Sequence, residues 1–207
     1  EAHIPELIDR MAAGRKGPVA IGVSGGSDSL GLLHLADIWA KRAGRELVVL
    51  SVDPGLRPAA SDEVSNVCDR AAALGYRTRT LKGTPVSPSQ SGARNLRHGL
   101  MAEAARVEGA SLLLLGHTRT DVEETFLMRL GRGSGLATSA APQLLSVSPV
   151  WPGGRGLQIG RPLLGQRRED IQAWLSERGI DWISDPSNSS PRYERVRMRA
   201  LIAQLGP

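Results

Sequence analysis

Cysteine is nearly absent from the sequence: Cys68 is the only one in 207 residues. A single thiol excludes an internal disulfide, and it excludes chemistry that needs two thiols or a cysteine-bound iron–sulfur cluster within the chain. Long apolar runs are missing as well. The longest, such as Leu112 to Leu115, fall far short of the roughly 20 residues that a membrane helix requires. No secretory pattern stands at the amino end, which begins at Glu1 without methionine and reads as trimmed. Lysine is scarce too, with only Lys16, Lys41 and Lys82, so the net charge of +5 rests on arginine. Guanidinium pairs bidentately with phosphate, so an Arg-rich surface suits phosphate-rich partners, although a GC-rich coding bias also writes Arg for Lys. There is no internal repeat. The expectation is a cytoplasmic protein with no membrane partner, its oligomeric state left open, a dimer included.

Two common nucleotide signatures are also missing. No Gly-Lys-Ser/Thr closes a glycine-rich loop, and no third glycine completes a dinucleotide fingerprint. What stands in their place is Val19-Ala20-Ile21-Gly22-Val23 followed by Ser24-Gly25-Gly26-Ser27-Asp28-Ser29. The first half is an apolar, β-branched run and reads as a buried strand. After the glycines, Leu30 to Ala36 takes up helical spacing. Strand, tight turn and helix in that order form an anion site. Backbone N–H groups at the helix start point outward, and the helix dipole favours negative charge there. Ser24, Ser27 and Ser29 add hydroxyl donors. Asp28 would repel a phosphate, so it caps the helix, holds a metal or contacts another group. The hexapeptide resembles the pyrophosphate loop of the PP-loop ATPases, which cleave ATP to AMP and pyrophosphate.

The rest of the chain alternates. Helices are expected at 1–11, 61–74, 91–108, 121–130, 166–178 and 193–205, and strands at 46–52, 77–81 and 111–115, with 144–150 and 157–159 pairing as a hairpin. The helix at 61–74 turns Val64, Val67, Cys68 and Ala71 inward. The pattern predicts an α/β fold: a doubly wound parallel sheet with helices on both faces and a small carboxy-terminal helical appendage. We expect a catalytic domain over 1–165 and an extension of that domain over 166–207. Ligands in such sheets lie beyond the carboxyl ends of the strands. Three polar clusters fall there: Ser24 to Ser29, Asp53 to Arg57, and His117 to Glu124.

The third cluster opens a helix. Spacing puts Asp121, Glu124 and Thr125 on one face and Glu123 to the side. Two carboxylates on one face repel unless a cation sits between them, and a metal, an arginine or a substrate amine would serve. An acid-enriched helix start is the plainer explanation.

Further motifs follow in a set order: Asp53-Pro54-Gly55-Leu56-Arg57, Ala93-Arg94-Asn95-Leu96-Arg97, Gly116-His117 with Asp121 and Glu124-Thr125, and Arg132-Gly133-Ser134-Gly135-Leu136. Arg161-Pro162-Leu163-Leu164 comes next, then Trp182 with Asp185-Pro186-Ser187-Asn188, then Arg195 and Arg199. From about Val19 to Leu201 this resembles the tRNA(Ile)-lysidine synthetases. The resemblance implies adenylation of the C2 oxygen of the wobble cytidine in a CAU anticodon by ATP, with Mg2+. The amine of free L-lysine then displaces AMP. It implies that Ser24, Gly25, Gly26, Ser27, Asp28 and Ser29 hold the phosphates, with Asp28 a candidate magnesium ligand and His117 near the nucleotide. Arg97 would stabilise charge on the reacting phosphate or orient the substrates, Asp121 and Glu124 would bind lysine and position its amine, and Arg132, Gly133 and Gly135 would form a flap. Arg192, Arg195 and Arg199 share a helical face and would contact tRNA phosphates. Pro54, His98, Thr118 and Val196 stand where the family usually has His, an aromatic residue, His and Asn. Full-length members carry further tRNA-binding domains, so the chain reads as a catalytic-domain fragment. The alternatives are another ATP pyrophosphatase of the same superfamily or a nucleotide-binding sensor without catalysis.

Overall fold

The structure is a computed structural model and describes residues 3–53, 55, 59–85, 90–131, 142–183 and 197–198. Six strands form one sheet in the order β3-β2-β1-β4-β6-β5. They are β1 (Val19–Gly22), β2 (Leu47–Asp53), β3 (Arg77–Lys82), β4 (Leu112–Leu115), β5 (Leu145–Val147) and β6 (Gln158–Gly160). The helices are α1 (His3–Ala12), α2 (Ser27–Ala43), α3 (Ala59–Ala73), α4 (Gln90–Val107), α5 (Arg119–Gly131) and α6 (Arg168–Ser176). All pairings are parallel except that of β5 with β6. The expected hairpin therefore forms, and its β6 arm joins the sheet beside β4.

The central strands are continuously apolar because both faces are covered. Val19, Ile21, Leu47, Val49, Leu112 and Leu114 pack in one core with α1, α2, α3 and α6. Their neighbours Ala20, Val48, Leu50, Leu113 and Leu115 pack in a second core with Met101, Ala102 and Ala105 of α4. Each buried leucine contributes about 1.5–3 kcal/mol, so the two cores dominate the stability of the sheet. The chain winds outward from β1 to β3 and then crosses back to β4, placing α2 and α3 on one face and α4 on the other. The reversal between β1 and β4 is the switch point of the sheet.

At the outer edge, β3 blunts further pairing with charge, Arg77 and Arg79 both pairing with Glu108. Cys68 is half-buried rather than fully inward, its Sγ 3.4 Å from Thr80 Oγ1 on that strand. The expected helix at 193–205 lies almost wholly outside the described residues, with 197–198 helical. Arg57, Arg132, Gly133, Gly135, Arg192, Arg195 and Arg199 lie outside them too.

α6 lies closely against α2. A Cβ on Gly31 would sit 2.4 Å from Ile171 Cγ2, a branched methyl with little freedom to move. Ordinarily Gly→Ala in a helix interior stabilises by roughly 0.5–1 kcal/mol. Here Gly31→Ala is expected to destabilise by about 1–3 kcal/mol through overpacking. In an Ile171→Ala background that penalty should vanish, as urea unfolding of the four proteins of the cycle will show.

Candidate active site

The loop leaving β1 is closed by its own serines. Ser29 Oγ donates to the Gly26 carbonyl at 3.0 Å and accepts from the Ser24 amide at 3.2 Å, with Ser24 Oγ 3.3 Å away. Of the three serine hydroxyls expected to face a ligand, Ser27 and Ser29 are instead buried, and only Ser24 is exposed. Gly25 sits at φ +88°, where a side chain is strained, and its Cβ would meet Ile183 Cδ1 at 2.6 Å. The Ile183 amide donates to the Gly25 carbonyl at 2.9 Å, latching the loop from outside. Gly26 differs: its φ is −73° and nothing lies within 4 Å of an added Cβ. It is the N-cap of α2 and has no side-chain capping bond, so the first N–H groups of that helix remain available to an anion.

The exit of β4 is pressed onto the start of α2. A Cβ on Gly116 would lie 2.8 Å from the Asp28 carbonyl oxygen, so glycine is needed for this approach. The packing brings His117 and α5 to the phosphate loop. At the start of α5 the Thr118 amide and hydroxyl both donate to Asp121 Oδ2, at 2.9 and 3.1 Å. Glu124, one turn on, is fully buried, while Glu123 turns aside to pair with Arg119.

The cation that the acidic face demands is Arg168, from the first turn of α6. Its Nε donates to Asp28 Oδ2 at 2.9 Å, its Nη2 to Asp121 Oδ1 at 3.1 Å and its Nη1 to Glu124 Oε1 at 3.4 Å. Among the options left open for Asp28, contact with another group is the one realised. Burial, opposed by Arg168 and reinforced by Asp121, holds the Asp28 pKa above the ordinary carboxylate value. For Arg168 burial acts against the charge, but hydrogen bonding to Asp28 and the three carboxylates outweigh it and raise its pKa. Sequence reasoning missed this residue. The available signal was the unmet demand for a cation, together with a basic helix start just after Arg161-Pro162-Leu163-Leu164.

A basic group faces this acidic one. Arg94, Arg97 and His98 come from α4, His117 follows β4, and Arg161 follows β6 on the neighbouring parallel strand. Arg94 and Arg97 are exposed, and neither has an ion-pair or hydrogen-bond partner among the described residues. Crowding by protein around its head group, then repulsion from Arg94, lowers the Arg97 pKa. Arg161 is lowered for the same two reasons while donating to Ser146 Oγ at 2.9 Å. Arg97 and the acidic pair thus come from different helices, α4 and α5. His117 is influenced from both groups, by Asp121 and by Arg161 and Arg94. Burial, opposed by Asp121 and aided by Arg161 and Arg94, pushes it down to about 4, so it is neutral at pH 7. Its Nδ1 is buried and has no partner among the described residues.

His98 is likewise pushed down to about 4, chiefly by burial and then by Arg94. Unfolded, a histidine titrates near 6.5. Below that pH the unfolded chain takes up protons that the folded state refuses until about pH 4, so stability should fall as pH drops through this window. His98→Gln is expected to flatten the fall, measured as urea midpoints at pH 7 and pH 5.

The arrangement has clear relatives. A family model described as a PP-loop domain matches residues 2–205. The tRNA(Ile)-lysidine synthase of Hyphomonas neptunium is 47% identical over 202 residues, spanning 98% of this chain and 54% of that protein. The one from Rhizobium meliloti is 40% identical over 91% of this chain and 44% of that protein. The chain thus spans about half the length of the curated relatives it matches. Among solved structures, the U34-tRNA thiolase NcsA from Methanococcus maripaludis, with its [4Fe-4S] cluster, superposes with TM-score 0.80 at 18% identity, over 99% of this chain and 71% of that one. An NH3-dependent NAD synthetase from Campylobacter jejuni reaches 0.54 at 12% identity, over 86% and 71%. These two show the fold alone. With the strand–loop–helix unit at the switch point and the match running almost end to end, the chain belongs to the PP-loop domain family.

Proposed function

We propose that the protein ligates lysine to C2 of the wobble cytidine of tRNA(Ile) bearing a CAU anticodon, at the expense of ATP, through an adenylated cytidine. One observation carries this reading. An uncapped helix N-terminus for phosphates, three carboxylates for an amine, and arginines with no acid partner among the described residues for a polyanion converge on a single switch point. The named relatives supply the reaction that needs all three.

The chain's residues divide the work as follows. The amides at the start of α2 and the Ser24 hydroxyl receive the ATP phosphates. The C2 oxygen of cytidine attacks the α-phosphorus, and pyrophosphate leaves. Arg97 faces the charge that develops on that phosphate, with no carboxylate paired to it among the described residues. Neutral His117 accepts or donates a hydrogen bond near the nucleotide without adding charge. Asp121 and Glu124 bind the lysine ammonium and orient its nitrogen once the proton is lost. That nitrogen attacks C2, and AMP departs with the oxygen.

We assign the loop with Arg132, Gly133 and Gly135 to covering the site, and Arg192, Arg195 and Arg199 to phosphates of the anticodon stem. A cytoplasmic location follows from this substrate. Magnesium accompanies ATP in such reactions and is held largely by phosphate oxygens and water. The residues described here do not form a cage for it: both Asp28 oxygens accept hydrogen bonds, from Arg168 and Ser27, and no three metal-ligating side chains gather among the described residues. No step above therefore runs through a metal. Sulfur transfer by a bound cluster is disfavoured, since Cys68 offers one thiolate.

Two variants test the assignment. Gly26→Val adds bulk only in open space, so the protein should keep its melting temperature and lose ATP binding in calorimetry. Gly25→Val should instead impair folding, because of its positive φ and Ile183. Glu124→Gln removes a charged hydrogen bond worth roughly 1.5–3 kcal/mol. It should raise the KM for lysine about ten- to a hundredfold and change that for ATP less, in a tRNA-dependent lysine incorporation assay.

A further inference from the structure

Arg94, Arg97, His98 and Met101 form one stripe along α4, at spacings of three and four. Met101 fixes where that stripe lies: its Sδ would stand 2.9 Å from a Cβ on Gly22, the last residue of β1. Leu96 and Leu100 would stand 3.0 and 3.2 Å from a Cβ on Gly83, just past β3. This part of α4 is therefore level with the carboxyl ends of the strands. Each further turn toward the start of α4 rises about 5.4 Å, so Arg97 and then Arg94 stand beyond those ends. Arg161 reaches the same region from the exit of β6. Its Nη1 donates to neutral oxygens, Ser146 Oγ at 2.9 Å and the Gln143 carbonyl at 3.0 Å. These bonds hold the guanidinium without neutralising it, and its Nε–Nη2 edge has no partner among the described residues. After burial, repulsion from Arg94 lowers the pKa of Arg97, His98 and Arg161 and contributes to the lowering at His117, so all four lie within its field.

The positive charge of this wall exceeds what one reacting phosphate requires, and its parts are spread out. The phosphate loop follows β1, whereas Arg161 follows β6, two strands away across β4. Two strand spacings make about 10 Å, so one phosphoryl group cannot serve both places. We propose that Arg94 and Arg161 hold a phosphodiester of the RNA substrate next to the target base, Arg161 through its Nε–Nη2 edge and Arg94 as a second positive charge. This rests on the ligation reading above and deepens it. A planar guanidinium edge matches two phosphate oxygens. Holding that linkage selects a cytidine within a polynucleotide over a free nucleoside, and it keeps the unstacked base beside ATP.

The test uses the whole protein, lysine incorporation and tRNA(Ile) with a CAU anticodon. The tRNA is unmodified or carries one uncharged methylphosphonate linkage, on the 5′ or the 3′ side of the target cytidine. Arg94→Ala removes an exposed side chain with no partner among the described residues, so the fold should survive it. Arg161→Gln removes the charge and keeps a donor for Ser146. Each variant should raise the KM for unmodified tRNA about tenfold and leave that for ATP within about twofold. One of the two neutral linkages should cost the unaltered protein a similar factor and cost the variants nothing further, because charge and partner act as one pair. In filter binding, each variant should reduce the slope of log affinity against log salt by about 0.7–0.9. If the ATP requirement or inhibition by pyrophosphate shifts as much as the tRNA requirement, the arginines hold the triphosphate instead and the inference is overturned. It is overturned equally if neither neutral linkage harms the unaltered protein, or if both harm the variants as much. If the unaltered protein incorporates no lysine, the ligation reading fails. The neutral linkages and salt slopes, read by binding alone, then still decide whether a linkage is held.

Discussion

The site depends on one guanidinium in a largely dry setting. Glu124 is fully buried, Asp28 and Asp121 are nearly so, and all three would repel one another without Arg168 among them. A buried carboxylate is tolerated only when paired. The ion cluster therefore constrains more than itself: it fixes where α6 meets α2 and α5. The bare backbone of Gly31 and Gly116 lets those elements come close enough for the ion cluster to close.

Around that cluster the switch point is electrostatically divided. One wall, from α2, α5 and α6, carries Asp28, Asp121 and Glu124 around Arg168. The other, from α4 and the exits of β4 and β6, carries arginines that repel one another and find no acid among the described residues. Both walls sit on elements anchored in the two cores, so neither can collapse onto the other to cancel its charge. His117 is kept neutral by burial, so it adds charge to neither wall.

The loop and the acidic helix show how the same residues change meaning once placed. Three serines near two glycines look equivalent in one dimension. In the fold, Ser29 bonds the loop to itself and Ser27 is buried against α6, leaving Ser24 to face outward. The two glycines also separate: Gly25 serves the backbone turn, and Gly26 keeps space clear at the helix end. Thr118, a departure from the resembled family's usual residue, donates to the Asp121 carboxylate from both its amide and its hydroxyl.

Local rules were enough for much of the protein. The apolar runs at Val19, Leu47 and Leu112, with helical periods between them, determined a parallel sheet with helices on both faces, because each run is buried on both sides. The Ser-Gly-Gly-Ser-Asp-Ser turn determined an anion site, because its chemistry is contained within six adjacent residues. The spacing of Asp121 and Glu124 put two carboxylates on one face, which either a cation between them or a plain acidic helix start would explain. That a cation stands there, and which one, was decided by the tertiary structure alone. Arg168 lies 140 residues from Asp28 along the chain and reaches it only because α6 packs across α2. Cys68, given an inward place by helical spacing, is half-exposed because the strand beside it is the edge of the sheet. Periodicity records which side of an element faces the core. It does not record which distant side chain will meet it there, since that is set by packing between elements far apart in sequence.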